Sequence, residues 1–446
     1  MNMRISFLIL SILSVVGTTC GQVKFDDYFT TKSMRLDYYH AGNSEDDYYF
    51  LDEVIEEPFW GGNKNYLVDD RNMGNQQFKV IDKASGKVIF SRGFSSLFFE
   101  WMTTPEAKVT SKAMPEGVVF PYPKKDVIVE LYTRENRTDR MVKKFSYDID
   151  VDSYFIRKTR PTLTTIDIHL TGEPDERVDI VVLSEGYTES EKDLFVKAAK
   201  EFADHIFSYA PYTENKNKFN IRAVWKPGRE SGVSIPGKSQ WRDTALKAHY
   251  YTFDSERYQM IEDYQALLDA ASNVPYDMIY VLTNSEKYGG GGIYNFYGIS
   301  AANIPGAATR KTYSHEFGHL FAGLADEYVG GTEMSDIYFA NVEPWEPNIT
   351  TLKDLSSKSW WQLLAGAPVP TPVKETNWEL NPQNPKSADY NPESPWQLGV
   401  YEGGGYLEKG VYRPWPNCMM NWFHRIDVYC PVCVKTIQET INLFTE

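Results

Sequence analysis

Residues 315–319 read His315-Glu316-Phe317-Gly318-His319, two imidazoles four residues apart with a carboxylate beside the first. On a helix the two rings share one face, and Glu316, turned by about 100° from His315, reaches the space in front of them. This donor pattern suits a zinc ion, which lowers the pKa of a water to about 7 and polarises a carbonyl while the carboxylate takes the proton. His315 and His319 are therefore candidate metal ligands, and Glu316 is the candidate general base. Ordinary buried histidines bonded to backbone carbonyls are the alternative, but two of only 7 histidines stand at this spacing around a glutamate. The other five, His40, His169, His205, His249 and His424, have no comparable neighbours in the sequence.

A hydrolytic zinc takes three protein ligands and keeps one position open. In the long metzincin motif a glycine turns the chain three residues beyond the second histidine, and the third ligand follows three residues later. Here Gly323 comes four residues after His319 and Asp326 three after Gly323, so the glycine-to-ligand interval is kept and the turn is displaced by one. Asp326 is the expected third ligand and Glu327 the alternative; Ala325 occupies the position of the usual histidine. Upstream, the run of glycines at 289–292 followed by Ile293 and Tyr294 suggests an antiparallel edge strand on which an extended peptide pairs. Gly290, Gly291, Gly292, Ile293 and Tyr294 are thus candidate substrate contacts, a surface loop being the competing reading. Downstream, Asn417-Cys418-Met419-Met420-Asn421 offers Met420 as a methionine turn beneath the metal, although a methionine pair is more often plain core. The aromatic loops with Trp415 and Tyr401-Glu402-Gly403-Gly404-Gly405 are candidate specificity elements. Cys430-Pro431-Val432-Cys433 suggests zinc or redox chemistry in isolation, yet an exported chain favours a disulfide. A bridge from Cys418 to Cys430 or to Cys433 would tie the methionine turn to the terminal segment, and the spacing does not choose between them.

The elements that must position these residues fall into two regions. From residue 22 to 160, short runs at 77–80, 88–91, 118–122 and 127–132 read as strands broken by turn signals, an N-terminal antiparallel β-sandwich. From 161 to 446 the pattern changes. Strands at 178–183, 219–225 and 278–282 alternate with helices at 189–209 and 258–271, which implies a largely parallel sheet covered by helices. Residues 309–324 form the helix that carries the histidines. The fold class is α+β and multidomain, with the catalytic region in second place.

Of 446 residues, 46 are Lys or Arg and 61 Asp or Glu, a net charge of −15, which argues against nucleic acid and anionic membrane surfaces. Residues 1–21 carry Arg4, an apolar run at 5–16 and small residues after it, the pattern of a secretory signal peptide. Export places the protein outside the cytoplasm, secreted, periplasmic or on an outer surface. Cys20 stands where a lipoprotein would be acylated, but 17–19 lack the usual branched aliphatic residue, so a lipid anchor and simple cleavage both stay open. No other stretch is long and apolar enough for a transmembrane span.

The motif continuing to Gly323-Leu324-Ala325-Asp326-Glu327-Tyr328 resembles that of the IgA-peptidase family of secreted zinc metallopeptidases, metallopeptidase family 64. The resemblance extends to Asp179-Ile180-Val181-Val182-Leu183-Ser184-Glu185-Gly186-Tyr187, Glu230-Ser231-Gly232-Val233-Ser234, the glycine stretch, and Cys418-Met419-Met420 with Cys430-Pro431-Val432-Cys433. Arg92-Gly93-Phe94-Ser95-Ser96-Leu97-Phe98-Phe99-Glu100-Trp101 resembles the β-rich domain that precedes the peptidase in many members. The likeness implies a metzincin-like zinc endopeptidase, one catalytic zinc held by His315 and His319 with Glu316 as base, and a polypeptide substrate. A host protein such as an immunoglobulin is the substrate the family name suggests. The competing function is a surface module binding glycan or protein, its zincin domain structural or inactive. Intact Glu316 counts against it, because a structural site needs no base.

Overall fold

The computed structural model describes residues 23–135, 138–305, 307–330, 337–364, 366–372, 398–422 and 428–446. Residues 1–22, with the expected export signal and Cys20, and His424 lie outside the described residues. The chain is mixed α+β with several sheets. Strands β1 (Phe29–Gly42), β2 (Asp47–Glu57), β3 (Gln76–Asp82), β4 (Val88–Phe94), β5 (Lys112–Pro123), β6 (Val127–Arg134) and β7 (Met141–Ile149) form two sheets. Their orders are β2-β1-β5 and β4-β3-β6-β7, and every pairing is antiparallel. In β3 the alternation of buried and half-buried residues, with Phe78 and Val80 inward, is the period-2 pattern of a strand with one face on a core. Aromatic contacts join the two sheets: Phe29 meets Phe90 edge-on at 6.4 Å, and Phe78 meets Phe120 at 6.3 Å.

A third sheet follows, built from β8 (Thr164–His169), β9 (Val178–Glu185), β10 (Phe219–Trp225), β11 (Met278–Thr283), β12 (Gly290–Gly292) and β13 (Gly298–Ala301). Its order is β12-β13-β11-β9-β10-β8; the inner pairings are parallel and both edge strands run antiparallel. β9 is buried at every position, as expected of a central strand covered on both faces. Val181, Leu183, Ile279 and Val281 point to a core shared with the helix Tyr264–Ala271 and the N-terminal sheets. Ile180, Val182, Tyr280 and Leu282 point the other way, onto the helices Lys192–Ile206, Ala307–Ala322 and Pro431–Thr445. A small hairpin of β14 (Tyr401–Gly404) and β15 (Leu407–Arg413) completes the described strands.

The helix expected over 258–271 begins only at Tyr264. Asp263 caps it by accepting from the Ala266 N–H at 3.0 Å, while Tyr258 bridges to Gly290. The motif helix Ala307–Ala322 ends where Gly323 takes a left-handed φ of 61°, its N–H returning to the His319 carbonyl at 3.1 Å. Only glycine enters that conformation without strain, and the reversal carries the chain back toward the face bearing the histidines.

Candidate metal centre

Both ring Nδ1 atoms are committed to backbone. His315 Nδ1 donates to the Met419 carbonyl at 3.0 Å, and His319 Nδ1 donates to the Leu324 carbonyl at 2.5 Å. A carbonyl only accepts, so the proton of each neutral ring sits on Nδ1 and each Nε2 presents a lone pair. The two Nε2 atoms stand 3.2 Å apart. Asp326 Oδ1 lies 3.1 Å from His315 Nε2 and 3.4 Å from His319 Nε2, yet it is a buried atom in no hydrogen-bond geometry. Three electron-rich atoms this close repel unless a cation lies among them. Tetrahedral zinc with bonds of about 2.0–2.1 Å separates its ligands by roughly 3.3–3.4 Å, close to what these atoms show. The other Asp326 oxygen, Oδ2, accepts from the Tyr406 hydroxyl at 2.5 Å, which turns Oδ1 toward the imidazoles.

Burial disfavours a charged ring, but the Asp326 carboxylate outweighs it and lifts His319 to about 9, so without an ion a proton on Nε2 takes the place that a cation would hold among these atoms. The imidazoles in turn overcome burial to hold Asp326 well below the usual carboxylate range. Burial raises Glu316, the imidazoles pull it down, and Asp326 adds to the rise. His315, Glu316 and His319 each offer a donor atom within 4.8 Å of the others.

These groups border a cleft of about 830 Å³ whose wall combines both regions of the chain. Phe99 and Glu100 come from the N-terminal helix Leu97–Met102, and Tyr258, Tyr288 and Tyr328 from the second region. The regions are joined beside it by Ser95 N–H to the Tyr294 carbonyl, Asn295 Nδ2 to the Gly93 carbonyl and Trp345 Nε1 to Asn75 Oδ1, each at 2.9 Å. Gly290, Gly291 and Gly292 form the antiparallel edge strand β12 and line the cleft. Their lack of side chains answers to crowding from inside. A Cβ at Gly292 would overlap the Glu316 carbonyl oxygen, one at Gly290 would stand 2.6 Å from the Ile299 oxygen, and one at Gly291 2.5 Å from Met260 Sδ. Ile293 and Tyr294 leave the strand in a turn and are buried, the Tyr294 ring packing on Trp345 at 5.3 Å.

Met420 is fully buried under the motif helix, where a Cβ at Gly318 would come within 2.9 Å of its Sδ. Met419 supplies the carbonyl that orients His315. Glu327 faces away from the cleft: its N–H donates to the Met420 carbonyl at 2.7 Å and its Oε1 accepts from Asn348 Nδ2 at 2.9 Å. Successive side chains of an extended segment leave on opposite sides, which separates Asp326 from Glu327. The expected disulfide is not formed. Cys418, Cys430 and Cys433 are free thiols, with Cys418 and Cys430 Sγ respectively 3.7 and 3.4 Å from Cys433 Sγ, and the Glu327 carboxylate reaches in among them. Trp415 packs against the core of the helical side, and of the glycine-rich hairpin it is Tyr406 that borders the cleft. His40 is buried between Glu116 and Asp47 at 3.2 Å from each. Tyr406, Glu100 and Tyr258 carry no local sequence signal that would have marked them.

A donor triad on a helix and the turn after it, beside a carboxylate in a cleft edged by an antiparallel strand, is an arrangement able to hold a metal ion. Residues 166–390 match the family described as IgA Peptidase M64, and residues 24–146 match the Peptidase M64 N-terminus. The chain belongs to the IgA Peptidase M64 family. Its domain is a peptidase domain, its substrate class is polypeptide, and a metal ion is the cofactor the family implies. No curated protein matches the chain. Among the described residues no helix is long and apolar enough to cross a membrane.

Proposed function

We propose that the protein is an exported zinc endopeptidase in which His315, His319 and Asp326 hold the ion and Glu316 is the general base. The observation that carries this reading is the convergence of His315 Nε2, His319 Nε2 and Asp326 Oδ1 within 3.1–3.4 Å of one another at the cleft. A bound zinc ion supplies Lewis acidity toward the scissile carbonyl and makes water acidic enough to lose a proton near neutral pH. Glu316 takes that proton on its carboxylate and returns it to the departing amine nitrogen. Its burial suits both roles, because a carboxyl raised from its ordinary value holds a proton more readily. Tyr406 keeps Asp326 oriented, and the Met419 and Leu324 carbonyls keep the rings in the required tautomer.

An extended substrate laid along β12 would continue the sheet and bring its backbone across the front of the motif helix. Tyr258 occupies the edge at Gly290, which leaves Gly291 and Gly292 as the pairing positions. The two facing N-terminal sheets read as a β-sandwich, and the mixed sheet with its motif helix and Met420 floor as a metzincin-like unit. Residues 1–21 read as the export signal.

The test is hydrolysis of a proteome-derived peptide library and of immunoglobulin A by the wild-type protein and by Glu316→Ala. Chelator-sensitive cleavage that the substitution abolishes, with metal content unchanged, is the expected result. Cleavage that survives Glu316→Ala, or none from wild type, overturns the reading, and the new termini identify the substrates.

A further inference from the structure

The three cysteines of the described chain converge on one carboxylate. Cys418 directly precedes the turn Met419–Trp422, while Cys430 is the N-cap of the helix Pro431–Thr445 and Cys433 lies in its first turn. With Glu327 they form a fully buried group. Cys430 and Cys433 Sγ are 3.4 Å apart, Cys418 and Cys433 Sγ 3.7 Å, and Glu327 Oε1 is 3.3 Å from Cys433 Sγ and 3.8 Å from Cys430 Sγ. In a tetrahedral zinc site with Zn–S of about 2.3 Å and Zn–O of about 2.0 Å, sulfurs stand roughly 3.8 Å apart and sulfur and oxygen roughly 3.5 Å. The sulfur–oxygen separations bracket the second value, and the sulfur–sulfur separations lie just below the first. Glu327 Oε2 is buried without a hydrogen-bond partner among the described residues. A cation among them would give the three sulfurs and the carboxylate one common partner.

We propose that Cys418, Cys430, Cys433 and Glu327 form a second, structural zinc site, separate from the centre at His315 and His319. Four protein donors leave no open position, the mark of a structural rather than a catalytic ion. The thiols lose their protons to solvent as the ion binds. Three thiolates and a carboxylate exceed the charge of one zinc ion, and nearby groups offset the excess. Arg413 acts electrostatically on Glu327, the Cys430 N–H points at Cys418 Sγ at 3.1 Å, and the Cys433 N–H points at Cys430 Sγ at 3.5 Å from the positive end of the helix.

The site is coupled to the cleft through its neighbours in sequence. Glu327 follows Asp326, and Cys418 precedes Met419 and Met420, which orient His315 and floor the motif helix. A second ion would therefore fix the third ligand and the methionine support relative to each other.

Metal analysis of the purified full chain tests the proposal. Two zinc ions per wild-type chain are expected, with one retained in the double variant His315→Ala/His319→Ala. Cobalt loaded into that double variant should show intense thiolate-to-cobalt charge-transfer absorption, a readout that does not depend on activity or on the folding of any cysteine variant. Cys430→Ser/Cys433→Ser should lower the wild-type content by one ion. No zinc in the histidine double variant, cobalt without the sulfur band, or an intact mass two hydrogens low from a disulfide would each overturn the assignment.

Discussion

At the scale of single residues, the centre depends on atoms that are not ligands. Tyr406 donates to Asp326 Oδ2 and so decides which carboxylate oxygen faces the imidazoles. Tyr406→Phe keeps the ring and removes only that bond. Loss of such a supporting partner typically weakens metal affinity or activity by about 10–100-fold. Chelator competition should therefore show Tyr406→Phe losing zinc at lower chelator concentration than wild type, with an unchanged melting temperature for the metal-free protein. Equal affinity in the two proteins would remove Tyr406 from the centre. This part of the site is where sequence reading stops. His315, Glu316 and His319 announce themselves because helical spacing converts directly into geometry. The interval after Gly323 marks Asp326 as a candidate, and the fold brings its Oδ1 beside both imidazoles. Tyr406 stands 80 positions from its partner, so only the fold brings the two together. The cysteines show the opposite failure: their spacing was visible, but reading them as a disulfide left out Glu327, the residue that gives the cluster its chemistry.

Elements that the sequence makes legible are those whose burial pattern is local. β10 at Phe219–Trp225 and β11 at Met278–Thr283 read directly, because a central strand is a continuous apolar run with clear ends. β1 and β2 do not, since buried Arg35, Asp37, His40 and Glu57 interrupt the apolar alternation, Arg35 pairing with Asp37 and Glu57, and His40 with Asp47 and Glu116. β12 shows that a correct element can have a reason other than the one first inferred. Its glycines admit the motif helix and the neighbouring strand, with Gly292 closest to Glu316. Gly292→Ala should therefore push the edge strand away from the helix carrying the base. Overpacking of this kind costs about 1–3 kcal/mol. Denaturant unfolding should show that loss, together with lower kcat on a peptide substrate. A variant of wild-type stability with only a raised KM would mean that the glycine serves substrate approach instead.

For the whole molecule, the decisive fact is that the cleft is not the property of one region. Glu100 reaches it from the N-terminal half, accepts from the Tyr258 hydroxyl of the second half, and is held at about 7 mainly by burial, with the Glu316 and Asp326 charges adding to the rise. Its ionisation thus bears on whether the halves stay together. Between the unfolded value near 4.5 and the folded value near 7, the unfolded chain has released this proton while the folded chain keeps it. Stability then falls as pH rises through that window, and is largest below it. A complete shift would correspond to roughly 3 kcal/mol, but Glu100 is only half-buried by surface exposure and its solvent contact reduces this to about 1–3 kcal/mol. Glu100→Gln has no proton to release. On metal-free protein, where no ion competes for the local field, the stability difference between Glu100→Gln and wild type should therefore grow in favour of the variant from pH 4.5 to pH 7 and level off above. A difference that stays constant across that range would mean that the carboxyl is already ionised in the fold, and that the N-terminal wall meets the catalytic half without a buried acid at the join.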